Sequence, residues 1–493
     1  MASLSNKAGI LIVANLLKYG VGFVLPMLLV RLLTPQDYGT YRQLTLVVSI
    51  ASTILVLGLP PSIYYFHDHA LAARRRALQV QTVVMLGLLG LFGAAVLVAA
   101  RQLLGQLLHN TAVSELMPAM ALAGALTIGS EGFLAFLIVA DRYRLALGFE
   151  VGETIVRMAL TVVPLLLGYG LRGLVFSLLG FAVLRYLGRL GTLYRFRDRG
   201  VRGWRSAVFA REQLSYSLPL AATNWVAVGA GILDRAIIAL FFSTVDYAIY
   251  SVGALEIPLD VIFQASVANV MRATLPRLIR EGNEGEIRRL LRESVRKLAL
   301  IVLPSFCFLW FFAHDFITVL FTNRYEQSVH VFRIYLLLLP LHMFVLSAVP
   351  QAYGETRINF RVAVISTVSH AALSFLLLKL IGFYGPAISG VATAYLSSAL
   401  FAAANLRLTR SRLVDLVPAG ALLRTVLACL VAALAARLAA HLVGSRLLDL
   451  LGAGLVFSVA YLAAGVVFGA LTPSDRRLLW RMAGRTLVFL QAR

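Results

Sequence analysis

The sequence predicts an all-α membrane protein of about fourteen transmembrane helices. Three features carry that expectation: composition, the length of the apolar runs, and the placement of positive charge. Of 493 residues, 60% are hydrophobic and 14% charged, and the mean hydropathy is +0.84, more apolar surface than a water-soluble core can bury. Apolar runs of the roughly 20 residues that a bilayer requires follow one another at 8–32, 41–66, 77–100, 114–140, 145–168, 171–194, 212–242, 246–271, 294–321, 328–352, 358–381, 385–406, 418–442 and 447–470. They are continuous rather than alternating with a period of two, which excludes an outer-membrane barrel.

The connections between the spans explain the net charge of +22. Cations crowd alternate loops: Arg74 to Arg76, Arg142 and Arg144, the Arg195–Arg211 stretch, Arg272 to Lys297, Arg357 and Arg361, Arg407 to Arg412, and Arg476 to Arg485. The intervening loops are short and hold few, among them Arg101, Arg172, Arg324 and Arg446. This is the positive-inside pattern, and it places both termini in the cytoplasm. The basic balance therefore reports topology, and no nucleic-acid partner is expected.

The first span is too long for a signal-peptide core and no small-residue cleavage site follows it, so it is expected to remain as a helix. Spans one and seven open on a common register. Asn15, Gly20, Gly22, Asp37, Tyr38 and Tyr41 match Asn224, Gly229, Gly231, Asp246, Tyr247 and Tyr250 at one constant offset, Asp37 to Asp246 being 209 residues. Six spans separate the copies, an even number, so the halves run parallel and are related by a pseudo-two-fold along the membrane normal. LLGYG at 166–170 and LIGFYG at 380–385 echo the scheme at the ends of spans five and eleven. The organisation expected is 1–200 for six helices, 201–410 for the second six, and 411–493 for two further helices and an amphipathic tail, whose 475–490 stretch lies along the cytoplasmic interface.

The turn after each repeated span reads TPQD (34–37) and STVD (243–246), the acidic variant of a capping box. Pro35 suits the first helical position, and Tyr38 and Tyr41 are expected in an outer aromatic belt. The segment 31–41, RLLTPQDYGTY, resembles the polysaccharide-transporter proteins, lipid-linked oligosaccharide flippases of the multidrug/oligosaccharidyl-lipid/polysaccharide (MOP) superfamily, and the resemblance covers the whole chain. It implies two pseudo-symmetric six-helix lobes of MOP/MATE type. It further implies transfer of undecaprenyl-pyrophosphate-linked sugar units from the inner to the outer leaflet of the bacterial inner membrane by alternating access; coupling to H+ or Na+ is expected from the intramembrane carboxylates below. A polysaccharide polymerase and a chain-length regulator are the implied partners, besides the polyprenyl-linked sugar and membrane lipids.

Ionisable side chains inside spans cost at least ~2.5–3.5 kcal/mol each on insertion scales and are functional candidates by default. Lys18, in the middle of the first span, can attract an anionic headgroup; an ion pair with Glu131 or Glu153 is its structural alternative. Glu153 and Arg157 in the fifth span stand at i, i+4 and can neutralise each other. Arg185 and Arg189 in the sixth stand likewise, with snorkelling explaining Arg189 better than Arg185. Arg235 beside Asp234 in span seven and Arg333 in span ten complete the cationic candidates, and Asn15 and Asn224 join them as substrate-binding positions. Glu256 and Asp260, flanking Pro258, are the leading ion-coupling carboxylates, with Glu153 and Glu131 behind them. His342 and His370 read as hydrogen-bonded core residues. Gly148 and Gly152, and Gly20 and Gly22, are expected to permit close helix contact. Cys307 and Cys429 read as small core side chains rather than a metal or disulfide framework.

No Walker loop, HExxH, GxSxG or Cys/His cluster occurs, so an ATP-driven pump or an enzyme is not expected and no cofactor is called for. The alternatives are a lipid II flippase, a MATE-type drug exporter, which would call for carboxylates where Lys18 stands, and a membrane glycosyltransferase, which needs a larger outer loop.

Overall fold

A computed structural model describes residues 20–69, 72–195, 207–255, 257–439 and 444–477. The chain divides into two compact units, 1–252 and 253–493. Among the described residues there is no strand, and nine helical stretches are long and apolar enough to cross a membrane.

In the first unit, α1 (Gly20–Leu32) leads through the TPQD turn into α2 (Pro35–Leu55) and α3 (Leu59–His69). These are followed by α4 (Ala72–Ala99), α5 (Arg101–Leu107), α6 (Thr111–Gly129), α7 (Phe133–Val139), α8 (Tyr143–Leu166), α9 (Gly170–Arg195), α10 (Ala207–Phe241) and α11 (Thr244–Gly253). The second unit holds α12 (Pro258–Arg280), α13 (Glu284–Phe311), α14 (Ala313–Phe321), α15 (Ser328–Leu336), α16 (Ala348–Ala352), α17 (Thr356–Ile381), α18 (Gly385–Leu408), α19 (Leu413–Leu416), α20 (Ala419–Ala439) and α21 (Arg446–Val467).

Several predicted spans are broken. The second is α2 plus α3, parted where Leu57 and Gly58 take positive φ. The fourth is α6 plus α7, parted at 130–132, and the tenth is α15, a 3-10 turn (Leu339–Met343) and α16. The eighth is α11 plus α12, with Ile257 extended before Pro258. Glu256 lies outside the described residues, and α12 opens at Pro258. The two echo motifs are the turns expected of them: Gly168 and Gly170 before α9, and Gly382 before α18, all have positive φ.

Both elbows are capped by their S/T-x-x-D pair, and at the second the full box closes, Ser243 N donating to Asp246 Oδ2 at 3.2 Å. The Asp37 amide donates to Thr34 Oγ1 (3.1 Å) and that hydroxyl to Asp37 Oδ2 (2.7 Å); Ser243 and Asp246 repeat the pattern at 3.1 and 2.6 Å. The two elbows also meet. A Cβ on Gly39 would lie 2.2 Å from the Thr244 carbonyl oxygen, so only glycine allows this approach. Tyr38, Tyr41, Tyr247 and Tyr250 are consequently buried, Tyr41 being the most exposed of them at 6%, and they form a polar core instead of the lipid-facing belt expected. The Tyr250 hydroxyl donates to Asp234 (3.3 Å), while the guanidiniums of Arg42 and Arg235 act electrostatically on Tyr38 and Tyr247.

At its other end α10 is tied to α3 and α4. The buried Gln213 carboxamide accepts from Gln81 (2.9 Å) and donates to Ser62 (3.0 Å) and Thr82 (2.9 Å), while Tyr216 stacks on Tyr65 at 4.5 Å. In the second unit Cys307 of α13 and Cys429 of α20 are buried as expected.

A third capping box, TPSD at 472–475, follows α21, with the Thr472 amide (3.0 Å) and hydroxyl (2.5 Å) both on Asp475. Asp475 also takes a bidentate contact from Arg296 of α13, at 2.6 and 3.2 Å. Burial alone would raise the Asp475 carboxyl, but hydrogen bonds from Arg296 and Thr472 outweigh it and hold it below the ordinary carboxylate range.

Two outcomes follow. Gly39→Ala should lower the thermal unfolding midpoint of purified protein by several degrees, whereas Gly152→Ala, whose Cβ meets nothing within 4 Å, should not; equal midpoints would refute the elbow contact. Because the Asp475 value is lowered on folding, the stability it supplies is complete above the unfolded value of about 3.9 and is lost as pH falls through the lower, folded value. Acid unfolding of the wild type should therefore be steeper than that of Asp475→Asn, read by tryptophan fluorescence between neutral pH and strongly acidic pH.

Candidate functional site

The site grows from the break in the fourth span. GSEG at 129–132 interrupts an otherwise apolar run, and the chain crosses it with short i→i+3 bonds, Glu131 N to Ile128 O and Phe133 N to Ser130 O. A break of this kind frees backbone carbonyls that hydrocarbon cannot satisfy. Arg189, reaching over from α9, donates Nη1 to the Ser130 carbonyl at 3.0 Å.

The same guanidinium closes on Glu153 of α8, with Nε at 2.7 Å from Oε1 and Nη2 at 2.6 Å from Oε2, and lies 5.3 Å from the centre of the Phe133 ring. Arg189 is 2% exposed. It does not snorkel to the interface; a neutralising carboxylate, three hydrogen bonds and an aromatic face make its burial tolerable. Glu153 accordingly does not pair with Arg157 as its i, i+4 spacing suggested. Arg157 is exposed, because the tertiary partner across the helix pair offers bidentate geometry that the neighbour one turn away does not.

Arg185, one turn before Arg189, is held differently. Its Nε lies 3.3 Å from Glu153 Oε2 and its Nη2 3.5 Å from Glu131 Oε1, and Nε is buried without a hydrogen bond. It lines a groove of about 370 Å³ between α8 and α9 whose other walls include Leu145, Phe149, Glu153, Phe181 and Leu184. Gly148, Gly152 and Gly188 also face this groove. No neighbour lies within 4 Å of a Cβ placed on Gly148, Gly152, Gly20 or Gly22, so these glycines do not serve the tight helix packing expected; at 148 and 152 they keep the groove open.

The other candidates are dispersed. Lys18, Asn15 and Glu256 lie outside the described residues, and Asp260 falls in the first turn of α12. Asn224 is exposed on α10 and Arg235 half-buried near the elbow tyrosines. Arg333 is half-buried on α15 with its Nε lacking a hydrogen bond. His370 is buried and His342 half-buried, and among the described residues no cluster could hold a metal ion. Sequence reasoning missed Ser130 as an acceptor and Arg189 as the centre of the cluster. The Gly-Ser-Glu-Gly interruption was the available signal for the first, and nothing local marks the second.

Removing Arg189 takes the bidentate partner from Glu153, leaving it only the longer contact to Arg185 at 3.3 Å, and takes one of two donors from the Ser130 carbonyl. Arg189→Leu should destabilise the protein by about 3–5 kcal/mol, and the double variant Arg189→Leu/Glu153→Leu by less than Arg189→Leu alone. Thermal unfolding of the wild type, Arg189→Leu, Glu153→Leu and the double variant in one detergent checks this; a double variant at least as unstable as the sum of both singles would contradict the pairing.

A family profile described as polysaccharide biosynthesis protein matches residues 28–330, more than half of the chain, and one described as lipid II flippase MurJ matches 218–462. A search of curated proteins by sequence gave no match. Among solved structures, that of lipid II flippase MurJ in an inward closed conformation superposes with a TM-score of 0.72 at 12% identity, over 94% of this chain and 98% of the other. An inward-facing multidrug resistance MATE transporter of the MOP superfamily superposes with 0.63 at 15% identity, over 79% and 94%. These likenesses are of fold, and the profile gives the family: this multi-pass membrane chain, built on the MOP-superfamily fold, belongs to the polysaccharide biosynthesis protein family.

Proposed function

We propose that the protein is a flippase carrying undecaprenyl-pyrophosphate-linked oligosaccharide from the inner to the outer leaflet of the bacterial cytoplasmic membrane for surface polysaccharide synthesis. Lobes 1–200 and 201–410 alternate access, 411–493 is appended, and both termini lie in the cytoplasm. The observation that carries the reading is Arg185: a guanidinium with its Nε unbonded, facing a groove between two membrane helices, in a chain of a polysaccharide biosynthesis family. A planar fork of donors suits phosphate oxygens, and the apolar groove walls suit the lipid that carries them. The arginine-rich connections put Arg185 and Arg189, near the end of α9, toward the cytoplasmic leaflet, from which such a substrate starts.

Coupling to H+ or Na+ drives the cycle, since one charge crossing the membrane is worth ~2.3 kcal/mol per 100 mV. Glu153 is committed to two arginines, which leaves Glu256, Asp260 and Glu131 as carriers. A polymerase and a chain-length regulator receive the product. The second reading is a lipid II flippase, favoured by the profile match over 218–462; its substrate also bears pyrophosphate and makes the same demand on Arg185.

In cells lacking their own flippase, Arg185→Lys should restore part of the surface polysaccharide, Arg185→Ala little and Arg185→Glu none, at equal membrane abundance. Lys18 variants should follow the same order. A cation exporter would reverse it, so full restoration by Arg185→Glu would sink the anionic-substrate reading.

A further inference from the structure

The two arginines of the site use the same edge of the guanidinium in different ways. Arg189 closes Nε and Nη2 on one carboxylate at 2.7 and 2.6 Å and uses Nη1 on a backbone carbonyl. Arg185 splits that edge between two carboxylates at 3.3 and 3.5 Å, and its Nε forms no hydrogen bond. Glu153 is already neutralised by Arg189, so the counter-charge of Arg185 is Glu131.

Glu131 is the loose member of the cluster. Its side chain is 40% exposed, against 17% for Glu153, and its backbone lies in the interruption between α6 and α7, outside either helix. With two arginines and two glutamates charged, the site carries no net charge. A phosphate entering the groove therefore meets a cation whose attraction is cancelled by Glu131 until that carboxylate moves away.

We infer that Glu131 is a resident stand-in for the substrate's phosphate: its side chain occupies Arg185 in the empty protein and is displaced when a phosphate enters the groove. The inference rests on the flippase reading and adds to it a competitor built into the binding site. The side chain supplies the freedom: 40% exposed, it can swing off Arg185 about its own torsions, while the backbone bonds of 130–133 and the hold of Arg189 on the Ser130 carbonyl and on Glu153 stay in place.

The test uses purified full-length protein in nanodiscs with farnesyl pyrophosphate as probe, farnesol as the uncharged control and inorganic pyrophosphate as the lipid-free one. Binding is measured by calorimetry, and unliganded melting confirms that each variant is folded. Removing a like charge a few ångströms from the ligand should tighten binding of farnesyl pyrophosphate by Glu131→Gln about tenfold or more. Glu131→Asp should bind as the wild type does, and farnesol affinity should not change. In an Arg185→Ala background Glu131→Gln should lose most of its benefit. The same gain with inorganic pyrophosphate supports the inference and assigns recognition to the phosphate alone; a gain confined to farnesyl pyrophosphate supports it and adds the prenyl chain. Wild-type binding that Glu131→Gln leaves unchanged or weakens overturns the inference but not the substrate reading. Failure of the wild type and Glu131→Gln alike to bind either pyrophosphate overturns both.

Discussion

The contact between Arg189 and Glu153 is the constraint on which the membrane-embedded part of the first unit depends. The fourth span is interrupted at 130–132, where the Ser130 carbonyl accepts from Phe133 N at 3.2 Å and still offers a second lone pair to a further donor. The donor that reaches it is a guanidinium, which could not be buried without a carboxylate. Glu153 supplies one from α8. A single side chain thus ties three membrane segments together. Arg185, one turn away, inherits a Glu153 that is already neutralised, and is held only by longer contacts of 3.3 and 3.5 Å to Glu153 and Glu131.

The second half repeats the geometry with different chemistry. Adding the offset of 209 to the break at 130 gives 339, the first residue of the 3-10 turn that divides the tenth span. The carbonyls freed there are met by neutral donors: the Tyr395 hydroxyl on Leu337 at 3.0 Å and the Asn405 carboxamide on Leu346 at 3.0 Å, both from α18. Tyr395 stands at the offset position of Tyr186, whose ring lies 3.0 Å from a Cβ placed on Gly129. In each half, then, the last helix of the repeat stabilises the broken one. In the first half it does so with charge, and only there does the break become a site of ions facing a groove.

What the sequence disclosed and what it concealed divide along the range of the interactions. The spans, the repeat, both elbow caps and the turns at 168 and 382 were legible because each is written within a few residues: an apolar run, an S/T-x-x-D box, a glycine needing positive φ. The partners of Glu153 were not. Local spacing offers Arg157, but residues 36 positions away in the chain win through bidentate geometry. The elbow tyrosines misled for a related reason. Tyr38 and Tyr41 look like belt residues as long as the second elbow is treated separately, and the approach of Thr244 to Gly39 is a tertiary fact. Glycines read alike in sequence, yet Gly39 admits a backbone neighbour and Gly152 opens a groove.

The magnitudes indicate which parts of the first unit can move. At one end α10 is fastened by the Gln213 carboxamide and a stacked tyrosine pair, and at the other by the elbow contact and the Tyr250–Asp234 bond. The bonds through Gln213 are between neutral groups, each worth about 0.5–1.5 kcal/mol net, and their polar atoms can be taken up by water in an opened cavity. Separating α6, α8 and α9 would instead strip a buried guanidinium from its carboxylate, at about 3–5 kcal/mol. The ion pair therefore holds α8, α9 and the segment after α6 together more firmly than the neutral bonds at the Gln213 end hold α10.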